Sequence, residues 1–177
     1  GHIFPALAVA EELRQKTPLL DILYVCGKKD IEDEIFKVVK QELVVSIEGS
    51  SFGQALSLSH PSFLIKSIKG FVQATRFLKQ QKPDVVVGFG GYVSFPVVLM
   101  AKALGIRTLI HEQNVIPGRA NQFLARLADG VATSFQETKK YLPKRVRIFM
   151  TGNPIRSAIE TADPEEAFKF FGFSKDK

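Results

Sequence analysis

Residues 84–96 read DVVVGFGGYVSFP, and residues 108–114 read TLIHEQN. The first stretch decides the fold. Residues 84–89 form an apolar, β-branched run, the kind that makes a strand buried on both faces. The run stops at Gly88-Phe89-Gly90-Gly91, whose adjacent glycines can take φ > 0 and let a ligand approach bare backbone. Pro96 suits the first turn of the helix that follows, where its missing N–H costs nothing. Strand, Gly-rich turn and helix start together offer free backbone N–H groups to an anion such as phosphate. The next strand, residues 107–110, ends in His111-Glu112-Gln113-Asn114. In an open parallel sheet both strands deliver these groups to one carboxyl edge, where ligands bind.

Working outward, the same strand–helix alternation runs through the chain. Pro5 opens a helix with Ala6, Leu7, Val9, Ala10 and Leu13 as its buried stripe. Residues 21–26 and 42–47 read as strands, 27–29 as a turn, and 31–40 as a helix with acids first and lysines last. Residues 49–60 make a Gly/Ser-rich loop long enough to suggest function. A long helix follows over 61–81, with Leu64, Ile68, Phe71, Thr75 and Leu78 as its core stripe. Helix at 118–128, strand at 130–133, a helical turn at 136–141, strand at 145–150 and a helix at 162–171 complete the pattern. The order predicts an α/β fold, a Rossmann-like parallel sheet with helices on both faces. A helix opening on Gly-His-Ile-Phe-Pro normally follows a strand and a turn, so upstream residues are expected, and no signal peptide pattern opens the sequence.

The 177 residues suffice for one such domain, and 45% hydrophobic residues exclude disorder. No apolar run reaches the length of a membrane span. The lone cysteine, Cys26, lies in a strand-like run and reads as a buried core thiol in a reducing compartment. The net charge of +6 is uneven: residues 1–60 carry −3, residues 61–156 carry +11 and residues 157–177 carry −2. The excess surrounds the Gly-rich turn and favours an anionic partner. On the long helix, Lys66, Lys69, Gln73, Arg76 and Gln80 are bordered by Phe63, Ile65, Val72 and Phe77. That composition suits a helix lying on an anionic bilayer, and equally a crossover helix with a solvated basic face.

Several chemistries are excluded. His111-Glu112 lacks the second histidine of a zinc protease, because position 115 is Val115, so no metal site is expected. Gly88, Gly90 and Gly91 do not spell the dinucleotide fingerprint, since position 93 is Val93. There is no G-x-S-x-G elbow, and no aromatic–basic alternation of a nucleic-acid-binding sheet. The surviving candidates are polar. His2 stands at a helix N-terminus, where the dipole favours a neutral imidazole able to accept a proton. Glu112 has no adjacent basic residue and reads as a base, an orienter of histidine, a sugar-hydroxyl ligand or a loop-anchoring carboxylate. Asn114 suits hydroxyl recognition or a turn. Arg156, beside a helix start, suits a phosphate or the surface.

Four motifs together resemble the MurG family of peptidoglycan glycosyltransferases: GHIFPALAVAEEL at 1–13, VVVGFGGYVSFP at 85–96, IHEQNVIPGRAN at 110–121 and TGNPIR at 151–156. The resemblance implies the N-terminal half of a GT-B glycosyltransferase, with residues 1–156 as an acceptor-binding, membrane-associating domain. Residues 157–177 would then be a linker toward a C-terminal donor-binding domain. It implies an inverting transfer of N-acetylglucosamine from UDP-N-acetylglucosamine to undecaprenyl-pyrophosphoryl-N-acetylmuramoyl-pentapeptide, without a cofactor or an active-site metal. The place implied is the cytoplasmic face of the bacterial cell membrane. His2 and Glu112 match positions considered for catalysis, and Gly1, Asn114 and Arg156 match donor-binding positions. His2, Gly90, Gly91, Tyr92 and Ser94 match the loops thought to hold the acceptor's pyrophosphate. The long helix, with Phe63, Ile65, Lys66, Lys69, Val72 and Arg76, matches the family's membrane patch. Phe95 departs from the family, which commonly has glycine there, and is expected to narrow the loop or face the membrane. Two rival readings are a non-catalytic acceptor-binding subunit of a two-chain glycosyltransferase and a GT-B sugar-nucleotide epimerase.

Overall fold

The computed structural model describes residues 2–27, 44–48, 61–160 and 163–172. Gly1, the turn at Lys28-Lys29, the helix expected over 31–40 and the loop expected over 49–60 lie outside the described residues. In chain order the described elements are α1 (Ile3–Lys16), β1 (Tyr24–Cys26), β2 (Val44–Ser46), α2 (Pro61–Gln81), β3 (Val85–Gly88), α3 (Gly91–Ala103) and β4 (Arg107–Glu112). There follow α4 (Arg119–Leu124), β5 (Gly130–Thr133), a 3-10 turn (Gln136–Tyr141), β6 (Ile148–Met150), α5 (Ser157–Glu160) and α6 (Pro164–Phe171).

Every described strand pair is parallel, as the strand–helix alternation requires. The expected single sheet is divided: β1 pairs β2, and β3-β4-β5-β6 form a second ladder in that order. Side-chain packing joins the two ladders, because Val25 of β1, Ile47 just after β2 and Val86 of β3 meet Ala74 of α2 and Val93 and Val97 of α3 in one cluster. Tyr24 and Val44, on the other face of β1–β2, pack against Leu7 and Ala10 of α1. Helices therefore do cover both faces at this ladder. A third core cluster holds Val98, Ile110, Leu124 and Val131, from α3, β4, α4 and β5, together with Leu142 just after the 3-10 turn. Cys26 is buried, in keeping with its reading as a core thiol.

β3 differs from its reading. Val86 is packed, but Val85 is 53% exposed and Val87 lies on the same open face. β3 is an outer strand of its ladder, so β-branched composition placed it in the sheet without ensuring cover on both sides. α2 also differs. Among its described positions the buried ones are Gly70, Ala74 and Leu78, one turn apart at each step, and the side chain of Leu64, also read as core, lies outside the described set. Ile68, read as core, is 54% exposed. Thr75 Oγ1 bonds back to the Phe71 carbonyl at 2.8 Å, which satisfies it within the helix. At the other end of the chain α6 is bounded by local chemistry. The Asp163 side chain accepts from the Glu165 amide at 2.8 Å, Pro164 takes the first position, and Gly172 ends the helix in the left-handed conformation.

Candidate functional site

The Gly-rich turn folds tighter than its sequence suggested. α3 starts at Gly91, which puts Pro96 in the helix interior, five residues past the helix start. Ser94 explains the early start. Its Oγ donates to the Gly90 carbonyl at 2.6 Å and accepts from the Gly90 amide at 3.1 Å, closing the loop before the proline is reached. The Ser94 hydroxyl and the Gly90 amide are thereby used within the loop, and Ser94 does not line the cleft described below. The first turn of α3 holds the amides of Gly91 and Val93, for which the helix itself supplies no carbonyl four residues back. Gly90 and Gly91 have φ of +99° and +76°, a region in which a side chain is strained.

The expected close approach to bare backbone occurs within the chain itself. The His2 ring lies over these glycines: a Cβ on Gly90 would stand 2.9 Å from His2 Nδ1, and one on Gly91 would stand 3.6 Å from Cδ2. His2 is the N-cap residue of α1, and its side chain makes no capping bond. The ring instead reaches Gln113, with Nδ1 3.3 Å from Oε1. The starts of α1 and α3 and the end of β4 thus converge at one carboxyl edge, as the sheet rule requires.

β4 runs two residues further than expected and includes His111 and Glu112, which are 3% and 2% exposed. Their side chains alternate across the strand. Glu112 Oε1 accepts from the Asn114 amide and from Asn114 Nδ2, each at 3.0 Å. Oε2 accepts from the Gly118 amide at 3.1 Å and from Asn121 Nδ2 at 2.8 Å. Four donors match the acceptor capacity of a carboxylate. Of the roles open to Glu112, this geometry is that of a loop anchor, holding residues 114–121 over the strand end. Thr138 Oγ1 secures the same loop from outside by donating to the Asn114 carbonyl at 3.1 Å. His111 lies on the opposite side, with Nε2 3.2 Å from the Gly152 carbonyl and Nδ1 3.1 Å from Gln113 Nε2. Burial pushes the His111 imidazole pKa below its ordinary value, against smaller raising effects of the Gly152 carbonyl and Glu112.

These elements bound an open cleft of about 260 Å³. His2, Gly90, Gly91 and Tyr92 line one side; Glu112, Asn114 and the stretch from Gly118 to Asn121 line the other. Five of the sequence candidates besides Glu112 are therefore together. Arg156 is not in this lining. Its guanidinium stacks 5.1 Å from the Phe4 ring centroid on α1, and its buried Nε has no hydrogen-bond partner. Ser157 bonds Glu11 beside it, which ties the segment after β6 to α1. Phe95 faces the core, correcting the expectation that it narrows the loop or meets a membrane. Its ring stacks edge-on with Phe71 at 6.1 Å and with Phe123 at 5.5 Å, where an aromatic side chain fills the space between α2, α3 and α4. Gln113 and Asn121 were not singled out from sequence. The signal for Gln113 is the period of two continued one residue past β4, which carries positions 111 and 113 to one side. Among the described residues, no three His, Cys, Asp or Glu side chains cluster in a way that could hold a metal.

Comparison with known proteins agrees with the parallel α/β fold. The glycosyltransferase family 28 N-terminal domain matches residues 1–133. A UDP-N-acetylglucosamine–N-acetylmuramyl-(pentapeptide) pyrophosphoryl-undecaprenol N-acetylglucosamine transferase from Thermoanaerobacter sp. (strain X514) is 42% identical over all of this chain and 48% of its own length. The enzyme of that name from Bacillus subtilis (strain 168) is 37% identical over the same shares. The chain spans about half the length of the curated relatives it matches. Among solved structures, Acinetobacter baumannii MurG aligns with a TM-score of 0.68 and 35% identity, over 90% of this chain and 44% of that one. The UDP-N-acetylglucosamine 2-epimerase from Rickettsia bellii, at 12% identity and a TM-score of 0.51 over 86% of this chain and 50% of that one, shares the fold alone. The chain belongs to the family of glycosyltransferase family 28 N-terminal domains.

Proposed function

We propose that this chain is the acceptor-side half of an inverting glycosyltransferase of peptidoglycan synthesis. The full-length protein, joined to a second half such as its relatives carry, transfers N-acetylglucosamine from UDP-N-acetylglucosamine to the 4-hydroxyl of undecaprenyl-pyrophosphoryl-N-acetylmuramoyl-pentapeptide. The observation that carries this reading is the convergence of His2, the Gly90-Gly91-Tyr92 turn and Asn114 on one cleft. The start of α3 is suited to the acceptor's pyrophosphate, since its first amides point out of the helix and its dipole is positive there. Ser94 acts by shaping that turn. A base takes the proton of the acceptor hydroxyl as that oxygen bonds to the anomeric carbon, and the bond from that carbon to the UDP oxygen breaks. His2 is the base this reading favours, because the Glu112 oxygens already accept four hydrogen bonds. Gly1, Asn114 and Arg156 belong to the donor side. No resident metal takes part in the reading, and a chelator titration of the full-length protein tests that point.

The reading places the protein at the cytoplasmic face of the membrane, docked through α2. Ile65, Ile68 and Val72 are 53%, 54% and 60% exposed, and with exposed Lys69, Arg76 and Lys79 they share one helical face. Apolar side chains flanked by cations are what an anionic bilayer binds. The side chains of Phe63 and Lys66 lie outside the described set. No described helix is long and apolar enough to cross a membrane. Calorimetric titration of the chain with a short-chain pyrophosphoryl-N-acetylmuramoyl-pentapeptide analogue, and separately with UDP-N-acetylglucosamine, tests the core of the proposal. Saturable acceptor binding with little donor binding supports it. A folded chain that binds the donor alone overturns the acceptor assignment.

A further inference from the structure

Four groups, of which His2 lines the cleft, form a hydrogen-bonded chain whose polarity can be worked out from its fixed end. The Gly152 carbonyl can only accept, so His111 Nε2, at 3.2 Å, must carry a proton. His111 is buried and held toward the neutral form, so its Nδ1 is bare and can only accept. Gln113 Nε2 lies 3.1 Å from that bare nitrogen and 2.9 Å from the Phe89 carbonyl. Two acceptors at one end of the amide set its orientation, with nitrogen toward them and Oε1 away. Oε1 can only accept, so His2 Nδ1, at 3.3 Å, must be the donor. In a neutral His2 the bare nitrogen is then Nε2, the ring atom farther from Gln113. The ring occupies the space over Gly90, where a Cβ would stand 2.9 Å from Nδ1.

We infer that Gln113 is a positioning residue that selects the Nδ1–H tautomer of His2, so that Nε2 is the proton-accepting atom presented to the acceptor hydroxyl. This deepens the role given to His2 above and rests on that reading for its catalytic meaning; the tautomer itself does not. His111 is the element that aligns Gln113, which gives a function to a buried histidine that touches no substrate. The relay also joins three segments, the β3–α3 turn through Phe89, the end of β4, and the turn after β6 through Gly152.

The test is a long-range proton–nitrogen correlation spectrum of the nitrogen-15-labelled chain at about pH 8, above the ordinary histidine pKa. The expected result is opposite tautomers, Nδ1–H at His2 and Nε2–H at His111. An Nε2–H tautomer at His2 in the unaltered chain overturns the inference with no variant needed. Gln113→Leu removes the acceptor, and the Nδ1–H preference of His2 should be lost. Gln113→Glu keeps an acceptor for His2 and loses the donors to His111 and Phe89, so His2 should retain Nδ1–H. A Gln113→Leu chain in which His2 keeps Nδ1–H refutes the selection. In the full-length protein, Gln113→Leu should lower kcat at least ~10-fold with little change in KM, a part of the 10²–10⁴ that a general base supplies, and Gln113→Glu should recover part of it. An unchanged kcat together with the altered tautomer would overturn the base role of His2 and leave the tautomer selection standing.

Discussion

Replacing Glu112 by glutamine separates an anchoring carboxylate from a catalytic one. The side chain is 2% exposed, and its oxygens take two donors each. A glutamine offers one carbonyl oxygen and one NH₂, so one pair of donors meets a donor whichever way the amide turns. If nitrogen replaces Oε2, the Gly118 amide is orphaned. Asn121 can then satisfy the new amide only by turning its own oxygen toward the His111 carbonyl, which Nδ2 now contacts at 3.3 Å. If nitrogen replaces Oε1, the Asn114 amide is orphaned instead. Two hydrogen bonds to a charged acceptor are worth about 1.5–3 kcal/mol each. The relief of an unpaired buried charge offsets part of that loss, leaving a net destabilisation of about 2–4 kcal/mol. For a chain of this size each kcal/mol shifts Tm by about 2–4 °C, so Glu112→Gln should melt roughly 4–16 °C lower. Thermal unfolding followed by circular dichroism at neutral pH reads this directly. A variant that melts within ~2 °C of the parent, while the full-length protein loses turnover, would refute the anchoring argument and return Glu112 to the reacting atoms.

Gly90→Ala should cost about 1–3 kcal/mol from its positive φ and should also displace the His2 ring, abolishing acceptor binding. Gly105→Ala, at φ +77° with open space around its Cβ, carries the strain alone and should leave binding intact; equal loss in both variants would count against the His2–Gly90 contact. On α2, Ile68→Glu with Val72→Glu should weaken sedimentation with anionic vesicles at least ~10-fold. Stability should stay within about 0.5 kcal/mol, because both side chains are exposed; unchanged vesicle binding would exclude this face. Asp129 has its carboxyl lowered to about 2 from 3.8, first by Lys102 and then by the Thr108 amide. A depressed pKa adds stability above the unfolded value that is lost as pH falls from 3.8 toward about 2. The side chain is half exposed, so solvent screening limits this to below about 1 kcal/mol. Asp129→Asn should lower Tm slightly at pH 7 and not at about pH 2, and a constant difference across that range would contradict the linkage.

Much of this arrangement was legible locally. The β-branched run before Gly88 becomes β3, and the paired glycines after it take the positive φ that only they adopt without strain. The parallel sheet follows from strands separated by helices, and Asp163-Pro164 marks the start of α6. Placement of Pro96 was less legible, because the Ser94 hydroxyl starts the helix before the proline. Ile68 and Phe95 changed sides for a related reason. A helix with apolar residues around most of its circumference leaves the choice of buried face to its neighbours, and α2 turns Gly70, Ala74 and Leu78 inward.

The sequence by itself determined the elements whose cause lies within a few residues: the parallel α/β order, the glycine turn and the basic segment around it. Only the tertiary structure decided how the candidates divide their work. Glu112 became an anchor because the loop folds back so that Asn114, Gly118 and Asn121 bring donors to it. Gln113 became a link because His2, 111 residues distant along the chain, is carried to it by α1. A side chain's hydrogen-bonding capacity can be read from its identity, but which partners use that capacity depends on segments brought together only by packing.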